Sequence, residues 1–306
     1  MGTKTVARGR VRLLVVLAAL LAASCALIAL EAQPAYALKA SGGAKAYKLQ
    51  PYTTYTKFDI TGDKIPDKIE VGSWWEWDEW YEEYNELGIE ITVNDQVVLR
   101  KNVISTNPYD WDIRLITLKN KKTMLYVATH GLDDYAADVN TVLAWKSGKL
   151  KPVLNVNAIC SGKYLYGSYP SARLTKVSGN TLTFDYALKA MMTGCTIFDA
   201  SYKYKSGKFV RTSSYVKPKI GGKYGKSRAA LKNLTVYKNV SCKSKKFTIK
   251  KGQKVKLLKM YVKGSKMALQ VKVGSRIGWV KCATSMNSKL LVAPGEPPFK
   301  GLVWAG

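Results

Sequence analysis

Acidic residues are nearly missing from the second half of this 306-residue chain. From Ala158 to Gly306 there are 30 Lys+Arg against Asp185, Asp199 and Glu296 alone, a net of +27, whereas Leu38 to Asn157 is close to neutral at −2. Solubility needs far less charge than that, so the basic half is expected to meet a polyanion. Histidine is as scarce. His130 is the only one, so any Ser–His or Cys–His mechanism must run through it. Neither CxxC nor HExxH occurs, which removes the usual zinc-ligand spacings. No apolar run after Leu38 could cross a bilayer, and sustained helical periodicity is almost absent.

The first residues indicate the compartment. Lys4, Arg8, Arg10 and Arg12 precede an apolar stretch from Leu13 to Leu30, and Ala35-Tyr36-Ala37 has the small-x-small spacing of a signal-peptidase site. Residues 1–37 are therefore expected to be a signal peptide, leaving a mature net charge of +25. A membrane anchor through residues 13–30 and lipidation at Cys25 are the alternatives, and each also places the body outside the cytoplasm. Nucleic acid is then a poor partner, and an anionic cell-wall polymer or peptidoglycan a better one. The four remaining cysteines suggest disulfides in an exported chain, with Cys160–Cys195 and Cys242–Cys282 favoured because each closes within one domain.

Eleven short alternating runs between Lys68 and Ser213, split by Asn94-Asp95, Ser147-Gly148, Ser178-Gly179 and Ser206-Gly207, predict an all-β, antiparallel domain of hairpins over residues 38–215. Trp145–Leu150 recurs as Tyr204–Phe209, so a two-hairpin unit is repeated, and Phe58–Leu99 reads as a diverged third copy. A sandwich or open stack of blade-like units is expected. The Gly-, Lys- and Ser-rich segment 216–229 reads as a linker, 230–285 as a small β-barrel, and 286–306 as a disordered tail.

Two segments carry candidate chemistry in the first domain. In FDITGDKIPDKIEV, residues 58–71, the side chains of Asp59, Thr61, Asp63, Asp67 and Glu70 and the carbonyl of Ile65 fall at calcium-loop positions, with Lys64 where glycine is usual. The alternative is a turn whose aspartates cap backbone N–H groups. The segment resembles the aspartate-rich turn of FG-GAP or VCBS repeats, and that resemblance implies calcium at Asp59, Asp63 and Asp67. Next comes SWWEWDEWYEEYNEL, in which Trp74, Trp75, Trp77, Trp80, Tyr81 and Tyr84 alternate with six acids. Such a surface suits carbohydrate or a cationic protein. The other readings are a hairpin arm whose rings cover the sheet, a short helix burying Trp77, Tyr81 and Tyr84, or an acidic arm docked on the chain's own basic half.

In residues 231–284, Leu234-Thr235-Val236-Tyr237, the turn Lys251-Gly252 before Val255–Met260, and the ending Gly278-Trp279-Val280 stand in an order similar to the bacterial SH3-like (SH3b) domain. The resemblance implies a small barrel attached to a secreted protein and able to bind wall components. This span has 15 Lys+Arg and no acid, with Lys243, Lys245, Lys246, Lys250, Lys251, Lys254 and Lys256 as candidate polyanion ligands. The expected function is a non-catalytic wall- or surface-binding protein. The alternative is a secreted hydrolase with a site at His130 and Asp133, Asp134 and Asp138.

Overall fold

The computed structural model describes residues 38–103, 111–129, 139–160, 171–219 and 227–301. The expected signal segment 1–37, and His130 with its neighbouring aspartates, lie outside the described residues. In chain order the strands begin β1 (Lys39–Ser41), β2 (Lys45–Leu49), β3 (Thr53–Phe58), β4 (Asp67–Asp78), β5 (Glu83–Val93) and β6 (Gln96–Asn102). They continue as β7 (Asp112–Thr117), β8 (Thr123–Ala128), β9 (Asn140–Lys146), β10 (Lys149–Asn155), β11 (Ser171–Ser178), β12 (Thr181–Ala190), β13 (Gly194–Lys205) and β14 (Lys208–Arg211). The last are β15 (Tyr215–Val216), β16 (Ser227–Ala229), β17 (Leu234–Tyr237), β18 (Lys245–Ile249), β19 (Lys254–Lys263), β20 (Lys266–Val273) and β21 (Arg276–Lys281). One turn of 3-10 helix, Val156–Ile159, follows β10.

The fold is all-β, and the repeat seen in the sequence is a structural one. β3-β4-β5-β6, β7-β8-β9-β10 and β11-β12-β13-β14 are three successive four-stranded antiparallel meanders. β2 adds to the first strand of the second meander, and β1 adds in parallel to the first strand of the third. The hairpin reversals follow from their residues: Asn94-Asp95, Ser147-Gly148 and Ser206-Gly207 all take positive φ at both central positions, the backbone whose twist matches two antiparallel strands. Equivalent turns of the second and third meanders touch. Lys119 N donates to Gly179 O at 3.0 Å, and Lys146 Nζ to Gly207 O at 3.0 Å.

The second meander is the middle layer. Its β8 reads TMLYVA and is buried on both faces from Met124 to Ala128, which a strand achieves only with apolar partners above and below. On one side Ile113, Leu115, Leu125 and Val127 meet Ile69, Val71, Ile89 and Ile91 of the first meander. On the other, the Tyr126 ring lies 5.8 Å from Phe184, and Asn140 Nδ2 donates to Ala172 O at 2.8 Å. Beyond it, the Tyr186 hydroxyl donates to Val156 O at 2.8 Å and meets the Tyr202 hydroxyl at 2.9 Å, so the third meander carries a hydrogen-bonded aromatic interior.

A seven-stranded sheet follows, with order β15-β19-β20-β21-β17-β18 and β16 also on β19. Gly278 of the Gly-Trp-Val ending is required here. A Cβ at that position would stand 2.4 Å from Val236 Cγ1 and 2.8 Å from Tyr237 O. Both ends of the segment expected to be a linker are strands of this sheet: Val216 pairs Met260, and Ser227 pairs Lys256. Arg211 at the end of β14 donates to Val262 O at 2.7 Å, and the described residues from Lys39 onward form one compact unit.

Two expectations are corrected. No two of Cys160, Cys195, Cys242 and Cys282 stand at bonding distance, so the Cys160–Cys195 and Cys242–Cys282 bridges are not made. A disulfide needs two sulfurs brought to about 2 Å; Cys282 is turned into the core, while Cys242 sits half-buried in the β17–β18 loop. The tail is docked as far as it is described. Leu291 and Phe299 are buried, Leu231 N donates to Pro298 O at 2.8 Å, and Lys300 N to Ala229 O at 2.9 Å. Apolar anchors hidden among prolines overrode the composition. Phe299→Ala is therefore expected to destabilise the chain by about 3–5 kcal/mol in urea unfolding, where a loose tail would give no change.

Candidate functional site

The aspartate-rich turn between β3 and β4 is closed by its own backbone. Asp59 accepts from the N–H groups of Gly62 and Lys64, Asp63 from that of Ile65, and Asp67 from those of Ile60 and Thr61 at 2.7 and 3.0 Å. The second oxygen of Asp67 takes the Asn94 Nδ2 at 2.8 Å, which locks this turn to the β5–β6 reversal. Lys64 has φ 74°, the left-handed backbone that its position demands and that glycine would adopt without strain. Glu70 does not join the aspartates. It lies an odd number of residues from Asp67 along β4 and so projects from the other face, where Thr54, Thr92 and Lys68 bind it. The Thr54 hydroxyl first, and then Lys68, hold its carboxyl below the usual range. Ile65 is exposed, and among the described residues no three His, Cys, Asp or Glu side chains converge as a metal cage would require. In this arrangement Asp59, Asp63 and Asp67 act as backbone-capping groups.

The aromatic segment is a hairpin arm. β4 and β5 are 12 and 11 residues long, whereas β3 and β6 pair with them only as far as Val71 and Gly88. Beyond Trp74 and Gly88 the hairpin continues as a free two-stranded ribbon, of roughly 3.3 Å per residue. Gly88 makes this junction, since a Cβ there would fall 2.0 Å from Lys101 O. Asp78 closes the tip by accepting from Trp80 N, Tyr81 N and Asn85 Nδ2. Trp74 stays against the body with Arg100 stacked over it at 5.3 Å. The remaining rings are open to solvent: Trp75 50 %, Trp77 47 %, Trp80 88 %, Tyr81 69 % and Tyr84 66 % exposed. They neither cover the sheet nor form the buried face of a helix.

The third candidate surface is the lysine array of the C-terminal sheet. Lys254 and Lys256 project outward from β19, Lys243 and Lys245 are exposed before and at the start of β18, and Lys250 and Lys251 stand at the β18–β19 turn. Lys246 spends its ammonium on Ile277 O at 2.8 Å. The sheet register adds lysines that sequence reading passed over. Lys256 lies directly opposite Lys272, and Lys263 opposite Lys266. Beside them Lys259 Nζ sits 5.0 Å from the Tyr215 ring and 6.0 Å from Trp279, with Tyr261 packed on Tyr215 at 5.3 Å. Only pairing across strands and the return of Tyr215 from the preceding region reveal this cluster.

The ion pairs leave that array uncompensated. Asp185 and Asp199, two of the three acids in the basic half, both bind Lys219, at 3.0 and 2.9 Å. Among the described residues no ion pair involves a lysine of residues 227–301, and none joins an arm carboxylate to them. Three of the cysteines are not poised as nucleophiles: burial pushes the Cys160 thiol up to about 11 and raises those of Cys242 and Cys282, keeping these sulfurs protonated at neutral pH.

Two substitutions check the turn. Lys64→Gly is expected to stabilise by about 1 kcal/mol by relieving the left-handed backbone, whereas Asp67→Ala, which strands buried donors, should cost about 2–4 kcal/mol. Both are read from denaturant midpoints, with and without added calcium; a large calcium-dependent shift in the parent protein would contradict the backbone-capped arrangement. No protein-family model, curated protein or solved structure matches this chain.

Proposed function

We propose that the protein is a non-catalytic binding protein of the cell exterior, whose C-terminal sheet holds an anionic wall polymer. The observation that carries this reading is the pairing of Lys256 with Lys272 and of Lys263 with Lys266 across neighbouring strands, with no carboxylate between them. Like charges set opposite each other weaken a sheet. A sheet that carries two such pairs, in a span of 15 bases without one acid, has a surface that a polyanion would relieve. The export-like N-terminal segment favours wall polymers over nucleic acid as that polyanion. The order of motifs resembling SH3b domains supports the same assignment, as does the Tyr215–Tyr261–Lys259 cluster, where a ring and a cation lie side by side to meet a sugar and its phosphate.

Retention of residues 38–306 on purified walls, with and without their teichoic acid, tests the reading. Binding is expected at about 0.1 M salt and lost near 1 M, where the screening length falls to roughly 3 Å. Removing the teichoic acid should abolish it. The Lys256→Glu, Lys272→Glu variant should bind about tenfold more weakly, equivalent to ~1.4 kcal/mol. Salt-independent binding, or binding unaffected by those two reversals, would refute the assignment.

A further inference from the structure

The free ribbon of β4 and β5 exposes a sheet face on which no described residue is packed. Ile69, Val71 and Ser73 point to the core side of β4, so Trp75 and Trp77 at the following alternate positions continue that side past the edge of the core. Tyr84 and Glu86 lie on the same face from β5: the Trp77 and Tyr84 rings meet edge-on at 5.0 Å, and Ser73 donates to Glu86. The ribbon therefore carries a core-like apolar face against which no described residue is packed. Its rim is acidic only. Glu76, Glu79, Glu82 and Glu83 are exposed, and no Lys or Arg occurs between Gly72 and Leu99.

The matching surface is present on the same chain. The outward face of β19-β20-β21 carries Lys256, Lys272 and Lys281 around Tyr215 and Tyr261, and Tyr215 is 46 % exposed. The ribbon does not reach this face within its own chain, because its rings remain open and its carboxylates make no ion pair with those lysines. From this charge and aromatic complementarity we infer that the acidic ribbon of one molecule docks on the basic face of a second copy. Each molecule offers one ribbon and one basic face, so the contact closes as a reciprocal two-fold pair or extends head to tail. Five rings of about 150–250 Å² each, about half exposed or more, suit a reversible contact rather than an obligate one. This goes beyond wall binding and stands or falls separately from it.

Sedimentation velocity of residues 38–306, without any polymer, tests it at about 0.1 and 1 M salt. A concentration-dependent species larger than the monomer is expected at low salt, with loss of that species at high salt. The Glu79→Lys, Glu82→Lys, Glu83→Lys variant should be monomeric in both, as should Lys256→Glu, Lys272→Glu, and mixing the two should restore the larger species. The ribbon variant should still bind walls, which separates this outcome from that of the wall-binding test. Circular dichroism checks that each variant folds; should one not, the salt series of the parent protein decides. A monomer at low salt at every concentration overturns the inference, as does a larger species that survives reversal of the ribbon. So does a monomer retained on neutral polysaccharide through Trp77 and Trp80, which would assign the ribbon to sugar.

Discussion

The middle meander, buried on both faces, is the constraint on which the rest of the molecule depends. Because Met124–Ala128 in β8 admits no solvent on either side, both neighbouring meanders must present continuous apolar faces to it. The first does so with Ile69, Val71, Ile89 and Ile91, the third with an interior led by Phe184, Tyr186 and Tyr202. A one-residue slip in any of these strands would turn its whole apolar set outward, so the stack fixes register in three sheets at once. The touching turns at Lys119–Gly179 and Lys146–Gly207 are the visible result of repeating one unit against itself.

That stack also determines what is left over. The middle meander's β7 and β8 are six residues each, whereas β4 and β5 are nearly twice as long, so about half of the β4–β5 hairpin has no layer to lie on. The aromatic ribbon is the uncovered end of a core face. At the other end of the chain the C-terminal sheet buries Val255, Met260, Leu269 and Val271 on its inner side, which forces the alternate lysines of β19 and β20 outward and opposite one another. Both candidate surfaces thus arise from strand alternation acting on a chain whose charge is sorted by sequence.

Much of this was legible from residues alone. Asn-Asp and Ser-Gly pairs marked reversals because those side chains tolerate positive φ, and the alternating runs between them became strands at nearly the expected places. β1, β2 and β3 were missed, since KAS, KAYKL and TTYTKF alternate too weakly to separate from loop; their strand state comes from edges offered by β11, β7 and β4. Composition misled at the tail, where Leu291 and Phe299 outweigh the prolines, and at the cysteines, where even number and spacing say nothing about which way a thiol points. At the aspartate-rich turn the spacing matched a calcium loop, but strand alternation carries Glu70 to the opposite face from Asp67.

By itself, then, the sequence determined the all-β class, the repeated hairpin unit, the positions of the turns and the separation of acid from base, because these follow from local backbone preference and from charge counted along the chain. Tertiary structure decided which lysines face each other, which aromatic rings stay uncovered and which carboxylates close a turn. Those depend on register and on the relative lengths of stacked strands, and both are settled only when one sheet is laid against another.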